Sequence, residues 1–256
     1  MNIFSFDNTF EGLLTLVFDC YQRVQFPDEI LYGDNRQPGL FSPATHIITD
    51  EKKAERVWKG IVSRSSEDNA HRIYRVFLSE QPTAPMLLLK YIRLVMDSPK
   101  NQETNFSEPV VVEVNKLHQK VGKEAHRVQM FVRFQKTVEG SYYASFAPLY
   151  DVLPLCIPPF KDRYADQPWI IYDLKRNYGF WYDLKTVARV TFDDLKVNTQ
   201  NGQLHSSLLA DDEKHFQQLW KQYYHSICIQ ERKNDKVHRQ LLPKRFWKYL
   251  PEKGIL

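Results

Sequence analysis

Residues 169–183, WIIYDLKRNYGFWYD, decide the fold that we expect for this chain. Two apolar and aromatic runs, Trp169–Leu174 and Tyr178–Asp183, lie on either side of the polar residues 175–177. Two strand-forming runs that are separated by a short polar turn are typical of a β-hairpin. The sequence therefore predicts a pair of antiparallel strands here.

The residues around this hairpin extend the predicted sheet. Glu139 and Gly140 form a second predicted turn, between strands at Arg127–Thr137 and Ser141–Pro148, and a fifth strand is predicted at Ala188–Phe192. All of these strands are expected to pair in one antiparallel sheet.

Two helices are predicted to flank the sheet. Residues 151–164, interrupted at Pro158-Pro159, predict a short helix on one of its faces. The acidic residues 211–213 open a second helix, where negative charge is favourable. This second helix carries an apolar stripe of Phe216, Leu219, Trp220, Tyr223 and Ile227.

The first half of the chain has mostly helical patterns. Residues 2–7 predict a strand, and a helix capped by Asn8-Thr9 follows. The turn-rich stretch 27–43 is expected to be an ordered loop. Apolar spacing predicts three helices within 49–97, and a fourth that begins at Ser107 and ends at Gly122. The predicted fold class is α+β: a helical N-terminal half followed by an antiparallel sheet with flanking helices.

The composition is 43% hydrophobic and 14% aromatic, which supplies enough side-chain area for a sizeable core. We therefore expect one α+β domain over residues 1–229, helix-rich in 1–122 and sheet-rich in 123–229. A basic, aromatic C-terminal segment, residues 230–256, is expected to follow it.

The three cysteines, Cys20, Cys156 and Cys228, lie far apart and show no CxxC spacing. This argues against a disulfide framework and a structural zinc site, and favours a reducing, cytoplasmic environment. No signal sequence and no apolar run long enough to cross a bilayer is recognised, so we expect no membrane partner.

The basic segment is the strongest functional signal. It holds eight Lys or Arg against three acidic residues, a net charge of +5 in a chain of net charge +4. Cations release counterions from phosphates, and interleaved aromatic rings can stack on bases. Docking of the aromatic residues on the main domain, with the charges merely solvated, explains the same pattern equally well. The candidate nucleic-acid-binding residues are Arg232, Lys233, Arg239, Lys244, Arg245, Trp247 and Lys248.

A weaker signal points to catalysis. His126 and Arg127 are predicted at a helix-to-strand junction, and His126 could act as a general base. Asp151 precedes a predicted helix, where it could cap that helix or face a site. Duller roles are the better explanation of both residues: hydrogen bonding to a nearby carbonyl for His126, and capping for Asp151.

The usual enzyme motifs are absent from the sequence: there is no GxxxxGK[ST], GxGxxG, GxSxG or HExxH. His215 and His225 are ten residues apart and do not share a helix face as a metal pair would. We predict neither a metal site nor a cofactor.

Four segments resemble a bacterial family that carries a domain-of-unknown-function label and is described as DNA metabolism proteins. They are FxxTFEGLLTxVF (6–18), EAHRxxxFVRF (124–134), FAPxxDxLP (146–154) and ERKNxxxxRQxxPKRFWKYLPE (231–252). The resemblance implies a link to DNA repair or modification, with a radical SAM protein as partner. Relatives are sometimes fused to a uracil-DNA-glycosylase-like domain. The chain itself has neither the cluster-binding cysteines of a radical SAM enzyme nor an added glycosylase domain.

Three hypotheses follow. The first is a DNA-binding accessory protein that uses the basic segment. The second is an enzyme of glycosylase type that acts on a flipped base, with His126, Arg127 and Asp151 lining the base pocket. The third is a protein-binding adaptor for the radical SAM partner that does not contact nucleic acid.

Overall fold

The computed structural model describes residues 2–32, 44–193 and 196–253. The chain falls into two compact units, unit 1 (Met1–Gly122) and unit 2 (Lys123–Leu256). Among the described residues, no helix combines the length and the apolar character that crossing a bilayer requires.

Unit 1 contains a small parallel sheet. Its strands are β1 (Ile3–Ser5), β2 (Glu29–Leu31) and β3 (Thr45–His46), in the order β2-β1-β3. Helix α1 (Phe10–Arg23) connects β1 to β2 and returns the chain so that the two strands run parallel. The first strand and α1 confirm the prediction, and the hydroxyl of Thr9 caps α1 by accepting from Gly12 N at 2.9 Å.

The turn-rich stretch was expected to be a loop, but it contributes the short strand β2. Three-residue strands among turn residues show no period-two pattern, which is why the sequence did not reveal this sheet. Residues 33–43 of the stretch lie outside the described residues.

Three helices follow at the predicted places: α2 (Glu51–Arg64), α3 (Glu67–Phe77) and α4 (Ala84–Asp97). Asp50 and Ser66 cap α2 and α3 through their side chains. Buried apolar residues from α1 to α4, such as Leu13, Ile61, Ile73 and Leu88, form the core of unit 1.

Helix α5 (Pro109–Phe131) is longer than predicted. The expected end at Gly122 and the expected strand from Arg127 are both wrong. Val121, Ala125 and Val128 are buried at helical spacing, so the 3.6-residue period continues through the apolar run. A Cβ at Gly122 would have only an ordinary contact, 3.6 Å from Arg75, so this glycine is not placed there to end the helix.

Unit 2 is built on a five-stranded sheet with the order β4-β5-β6-β7-β8. Both predicted hairpins, β4–β5 and β6–β7, are confirmed. The strands are β4 (Gln135–Lys136), β5 (Tyr142–Phe146), β6 (Trp169–Asp173), β7 (Tyr178–Tyr182) and β8 (Val187–Val190).

The prediction of a wholly antiparallel sheet is wrong, because β5 and β6 run parallel. Helix α6 (Leu153–Arg163) connects these two strands, and a crossover helix brings the chain back in its original direction. The turn within each hairpin predicted its antiparallel pair correctly. The pairing between the two hairpins was expected to be antiparallel, but α6 makes it parallel. Pro158 and Pro159 lie inside α6 and do not break it.

In its described residues, the rest of unit 2 holds a two-stranded antiparallel ribbon, β9 (Val197–Asn198) with β10 (Gln203–Leu204), and three further α-helices. These are α7 (Glu213–Ser226), α8 (Asp235–Leu241) and α9 (Lys244–Trp247). Helix α7 begins where predicted. Its apolar stripe is not buried: each of the five residues is at least 37% exposed.

Candidate nucleic-acid interface

In its described part, the basic segment is folded against the rest of unit 2. Leu242, Phe246 and Leu250 are 7%, 5% and 3% exposed, so each contributes its apolar surface to the core. The rings of Phe246 and Phe131 lie 5.8 Å apart between centroids. The aromatic and apolar residues of the segment therefore do dock on the main domain, as one of the two interpretations of the sequence predicted.

The buried carboxylate of Glu124 joins three parts of unit 2. One oxygen pairs with the guanidinium of Arg245, and the other accepts from Leu149 N at 3.0 Å. Arg127 Nη1 lies 3.8 Å from the oxygen that pairs with Arg245. The side chain is only 2% exposed, and a carboxylate so buried is tolerated because it is paired and hydrogen-bonded. Glu124 thus fixes both the 146–154 turn and the basic segment.

A second buried carboxylate, Glu252, holds the segment near its C-terminal end. One oxygen accepts from Arg133 Nη2 at 2.6 Å, and the other accepts from Trp220 Nε1 at 2.9 Å. The Arg133 guanidinium also lies 5.1 Å from the centre of the Trp220 ring. Because Glu252 is buried, one of the three acidic residues of the segment no longer contributes negative charge to its surface.

The cations of the segment remain on its outer side. Within residues 2–32, 44–193 and 196–253, no carboxylate lies within ion-pair distance of five of the predicted binding residues. These five side chains are also exposed: Arg232, Lys233, Arg239, Lys244 and Lys248. The charge that the sequence predicted is therefore available to an external anion.

Two other predicted binding residues have internal contacts. Arg245 is bound to Glu124, so its charge is already balanced. The half-buried Trp247 donates from Nε1 to the carbonyl of Leu242 at 3.0 Å. Burial and the nearby Lys253 lower the pKa of His238, whose ring lies 6.0 Å from Trp247. Both Arg245 and Trp247 thus position the segment.

The three candidate catalytic residues have separate surroundings. His126 is exposed and lies within α5, because this helix continues to Phe131. Arg127 lies beside Glu124. Asp151 accepts a hydrogen bond from Tyr178, whose pKa is raised by burial and by that carboxylate. The cap residue of α6 is Val152, so Asp151 does not fill the capping position either.

In the described part of the chain, no group of three or more His, Cys, Asp or Glu side chains is placed to hold a metal ion. Cys20 and Cys156 are buried, and burial raises the pKa of each thiol to about 12. Neither thiol is suited to nucleophilic chemistry at neutral pH.

A family model described as "Domain of unknown function (DUF4130)" matches residues 82–252. The chain belongs to this family. Its description states no function, so the links to DNA and to a radical SAM partner stay predictions. Neither the curated proteins nor the solved structures contain a match.

Within the DUF4130 region, the structure brings three of the four quoted motifs together. Glu124 belongs to the second motif, Leu149 to the third and Arg245 to the fourth, and the first motif precedes the matched residues. Sequence reasoning missed Glu124 and Glu252 as the residues that organise the segment. Their ion-pair partners are 121 and 119 residues away along the chain, so no local spacing reveals them.

Proposed function

We propose that this protein binds DNA through the exposed cations of residues 230–253 and acts as an accessory protein in DNA repair or modification. One observation carries the proposal: five exposed cations without a carboxylate partner among the described residues lie on a segment that is anchored at Arg245 and Glu252. The link to repair or modification rests on the family resemblance alone.

The geometry favours a polyanion over a single acidic group. The cations are spread from Arg232 to Lys248, and the anchors at Arg245 and Glu252 restrict the part of the segment that carries Lys244 and Lys248. A phosphate backbone supplies evenly spaced charges, and each contact releases counterions. Side chains that are held in place before binding lose less conformational entropy when DNA binds.

The test is binding to fluorescently labelled single-stranded and double-stranded DNA over a salt series. In the test variant, Arg232, Lys233, Arg239 and Lys244 are each replaced by Ala. Each phosphate contact contributes roughly 0.7 to 0.9 to the slope of log K against log salt. We expect the variant to bind more weakly and its slope to fall by roughly 3.

A matched control removes the same charge elsewhere. Lys52, Lys116, Lys120 and Lys123 are exposed and have no carboxylate partner among the described residues. Their replacement by Ala should leave most of the affinity and slope intact. If both variants lose the same affinity, binding depends on the net charge of the protein and not on this surface. If the test variant binds as well as wild type, the proposed surface is wrong.

A second candidate function, the protein-binding adaptor, is favoured by the exposed apolar stripe of α7. Leu219, Tyr223 and Ile227 are 44%, 55% and 55% exposed, and contiguous exposed apolar residues often mark a protein contact. The test is co-purification with the radical SAM protein that the resemblance implies. If the Tyr223→Asp variant abolishes that complex and the wild type has no DNA affinity, the adaptor replaces the DNA-binding proposal.

A further inference from the structure

A cleft in unit 2 is lined by six aromatic side chains. Its volume is about 620 Å³, within the range of small-molecule sites. The sheet side supplies most of the rings and α7 supplies the last two: Phe134, Tyr142, Tyr164, Trp169, Phe216 and Trp220. Trp169 is 1% exposed and forms the floor of the cleft, whereas the other five rings are at least partly exposed. Exposed aromatic faces at this density are suited to a flat, unsaturated ligand that can stack.

The charged residues of the cleft are mostly occupied by internal contacts. Asp212 accepts from Lys136 Nζ at 2.9 Å, and Glu213 accepts from Lys136 N at 2.9 Å and Gln217 Nε2 at 2.8 Å. Arg163 is exposed, and its guanidinium lies 5.5 Å from the centre of the Tyr164 ring. The cleft therefore offers stacking surfaces with an available cation at their edge.

A smaller, polar pocket of about 280 Å³ adjoins this cleft. The two share four lining residues: Arg133, Phe134, Gln217 and Pro251. The pocket is also lined by Lys221 and Lys248, which are exposed and have no carboxylate partner among the described residues. No acidic side chain of the described chain lines it, so its charge complements an anion.

The pocket wall also contains a polar group that the fold leaves unsatisfied. The buried hydroxyl of Tyr249 has no hydrogen-bond partner within the described residues. Such groups are rare in native proteins and often accompany a bound water or ligand. Gly202, with φ +71°, lies against Tyr249, and a Cβ there would come within 3.0 Å of the tyrosine ring. The close packing at Gly202 keeps this wall in place.

We propose that the aromatic cleft and the cationic pocket together bind one unstacked nucleotide of single-stranded DNA. The base stacks in the cleft beside Phe216, and a neighbouring phosphate lies at Lys221 and Lys248. This inference rests on the proposed DNA-binding function and deepens it, because Lys248 also belongs to the basic segment. The segment would supply affinity for the backbone, and the cleft would select a base that is not paired.

Unit 1 has a larger cleft, of about 920 Å³, that is less suited to nucleic acid. Two cations line it together with five acidic residues: Asp28, Glu29, Asp97, Glu108 and Glu113. A surface of this charge repels phosphates. The contrast favours unit 2 as the place where DNA is bound.

The test compares Phe216→Ala with Leu219→Ala on the same helix. Phe216 is 55% exposed and Leu219 is 44% exposed, so neither change should disturb the fold, as equal unfolding midpoints would show. The probe is a single-stranded oligodeoxynucleotide with 2-aminopurine at its centre, whose fluorescence falls when the base stacks. One stacked base is worth about 5- to 150-fold in affinity. We expect Phe216→Ala to lose about that factor and the fluorescence change, with an unchanged salt slope, while Leu219→Ala behaves as wild type.

Three further measurements separate the base from the phosphate, single strands from duplex, and DNA from RNA. The double variant Lys221→Ala/Lys248→Ala should lower the salt slope for single strands by roughly 1.4. Duplex DNA of the same length should bind equally well to wild type and Phe216→Ala. Tighter binding of single-stranded RNA of the same sequence would overturn the assignment to DNA.

The outcomes for the two proposals can be told apart. If wild type binds single strands but Phe216→Ala binds them equally well and keeps the fluorescence change, the cleft proposal is wrong and the DNA-binding surface stands. If wild type binds no DNA at any salt concentration, the proposed function itself is wrong.

Discussion

Glu124 and Arg245 form a buried ion pair between residues that are 121 positions apart in the sequence. The carboxylate is 2% exposed and the guanidinium side chain is 33% exposed. Removing one partner of such a pair leaves the other in an unfavourable environment. The pair is therefore one of the contacts that hold the basic segment against the rest of unit 2.

This pair can be tested with a double-mutant cycle. Glu124→Gln and Arg245→Met should each destabilise the protein, and the two together should cost less than the sum of the two single changes. We expect a coupling of about 1–3 kcal/mol, measured by urea unfolding at pH 7. Arg127→Ala is the control, since Arg127 lies 3.8 Å from the same carboxylate. Additive single changes would show that the pair does not hold the segment.

Neighbouring leucines provide a test of docking. Leu242 is 7% exposed and Leu241 is 66% exposed. Leu242→Ala should cost about 2–4 kcal/mol because it removes buried apolar surface. Leu241→Ala should stay within about 0.5 kcal/mol of wild type. Limited proteolysis should cleave the segment of Leu242→Ala first, and its DNA affinity should fall although every cation is present. Equal proteolysis of the two variants would contradict a docked segment.

His118 should make the stability of unit 1 depend on pH. Burial, with Arg75 and Arg72 nearby, lowers its pKa from 6.5 to about 4. The unfolded chain therefore binds the proton more readily, so this contribution is complete above pH 6.5 and is lost as the pH falls towards 4. The loss should reach about 3 kcal/mol at most.

The measurement is the free energy of unfolding of wild type and His118→Gln from pH 7.5 to pH 4. The difference between the two proteins should shift in favour of the variant as the pH falls. A difference that is constant over this range would show that His118 has an ordinary pKa in the folded protein.

Alanine substitutions at two glycines with positive φ distinguish the cost of backbone strain from the cost of overpacking. Gly140 (φ +80°) has nothing within 4 Å of an added Cβ, whereas at Gly202 (φ +71°) that Cβ would lie 2.7 Å from Ser145 Oγ. Gly140→Ala should cost about 1 kcal/mol through strain alone. Gly202→Ala should cost about 2–4 kcal/mol, since overpacking adds to the strain. Thermal unfolding of both variants gives the comparison, and equal losses would rule out the packing contribution.

Local patterns revealed much of the fold. The hairpins at 139–140 and 175–177, the helices α2 to α4 and the start of α7 all follow from turns, caps and apolar spacing. The failures have physical causes. The strand predicted from Arg127 is wrong because the buried residues from Val121 to Val128 keep a helical period. The predicted antiparallel pairing of β5 and β6 is wrong because the crossover helix α6 makes these strands parallel.

The candidate site was less predictable. The exposed cations of the segment could be listed from the sequence, but the internal role of Arg245 depends on a carboxylate that only the tertiary fold brings near. The aromatic cleft collects its rings from the residue before β4, from β5, from the residue after α6, from β6 and from α7, so no sequence window contains it. His126 and Asp151 were chosen because of their predicted positions at the ends of elements. Helix α5 continues to Phe131, so His126 lies inside a helix and not at a helix-to-strand junction.

The anchoring of Glu252 also determines when unit 2 can fold. Its partner, Arg133, is synthesised 119 residues earlier. Contacts this distant in sequence cannot form until the intervening chain has been made. On the ribosome, the surfaces that receive Phe246 and Leu250 must therefore remain uncovered until almost the whole unit has been translated. Unit 2 should accordingly depend more than unit 1 on chaperones that shield apolar surface during synthesis.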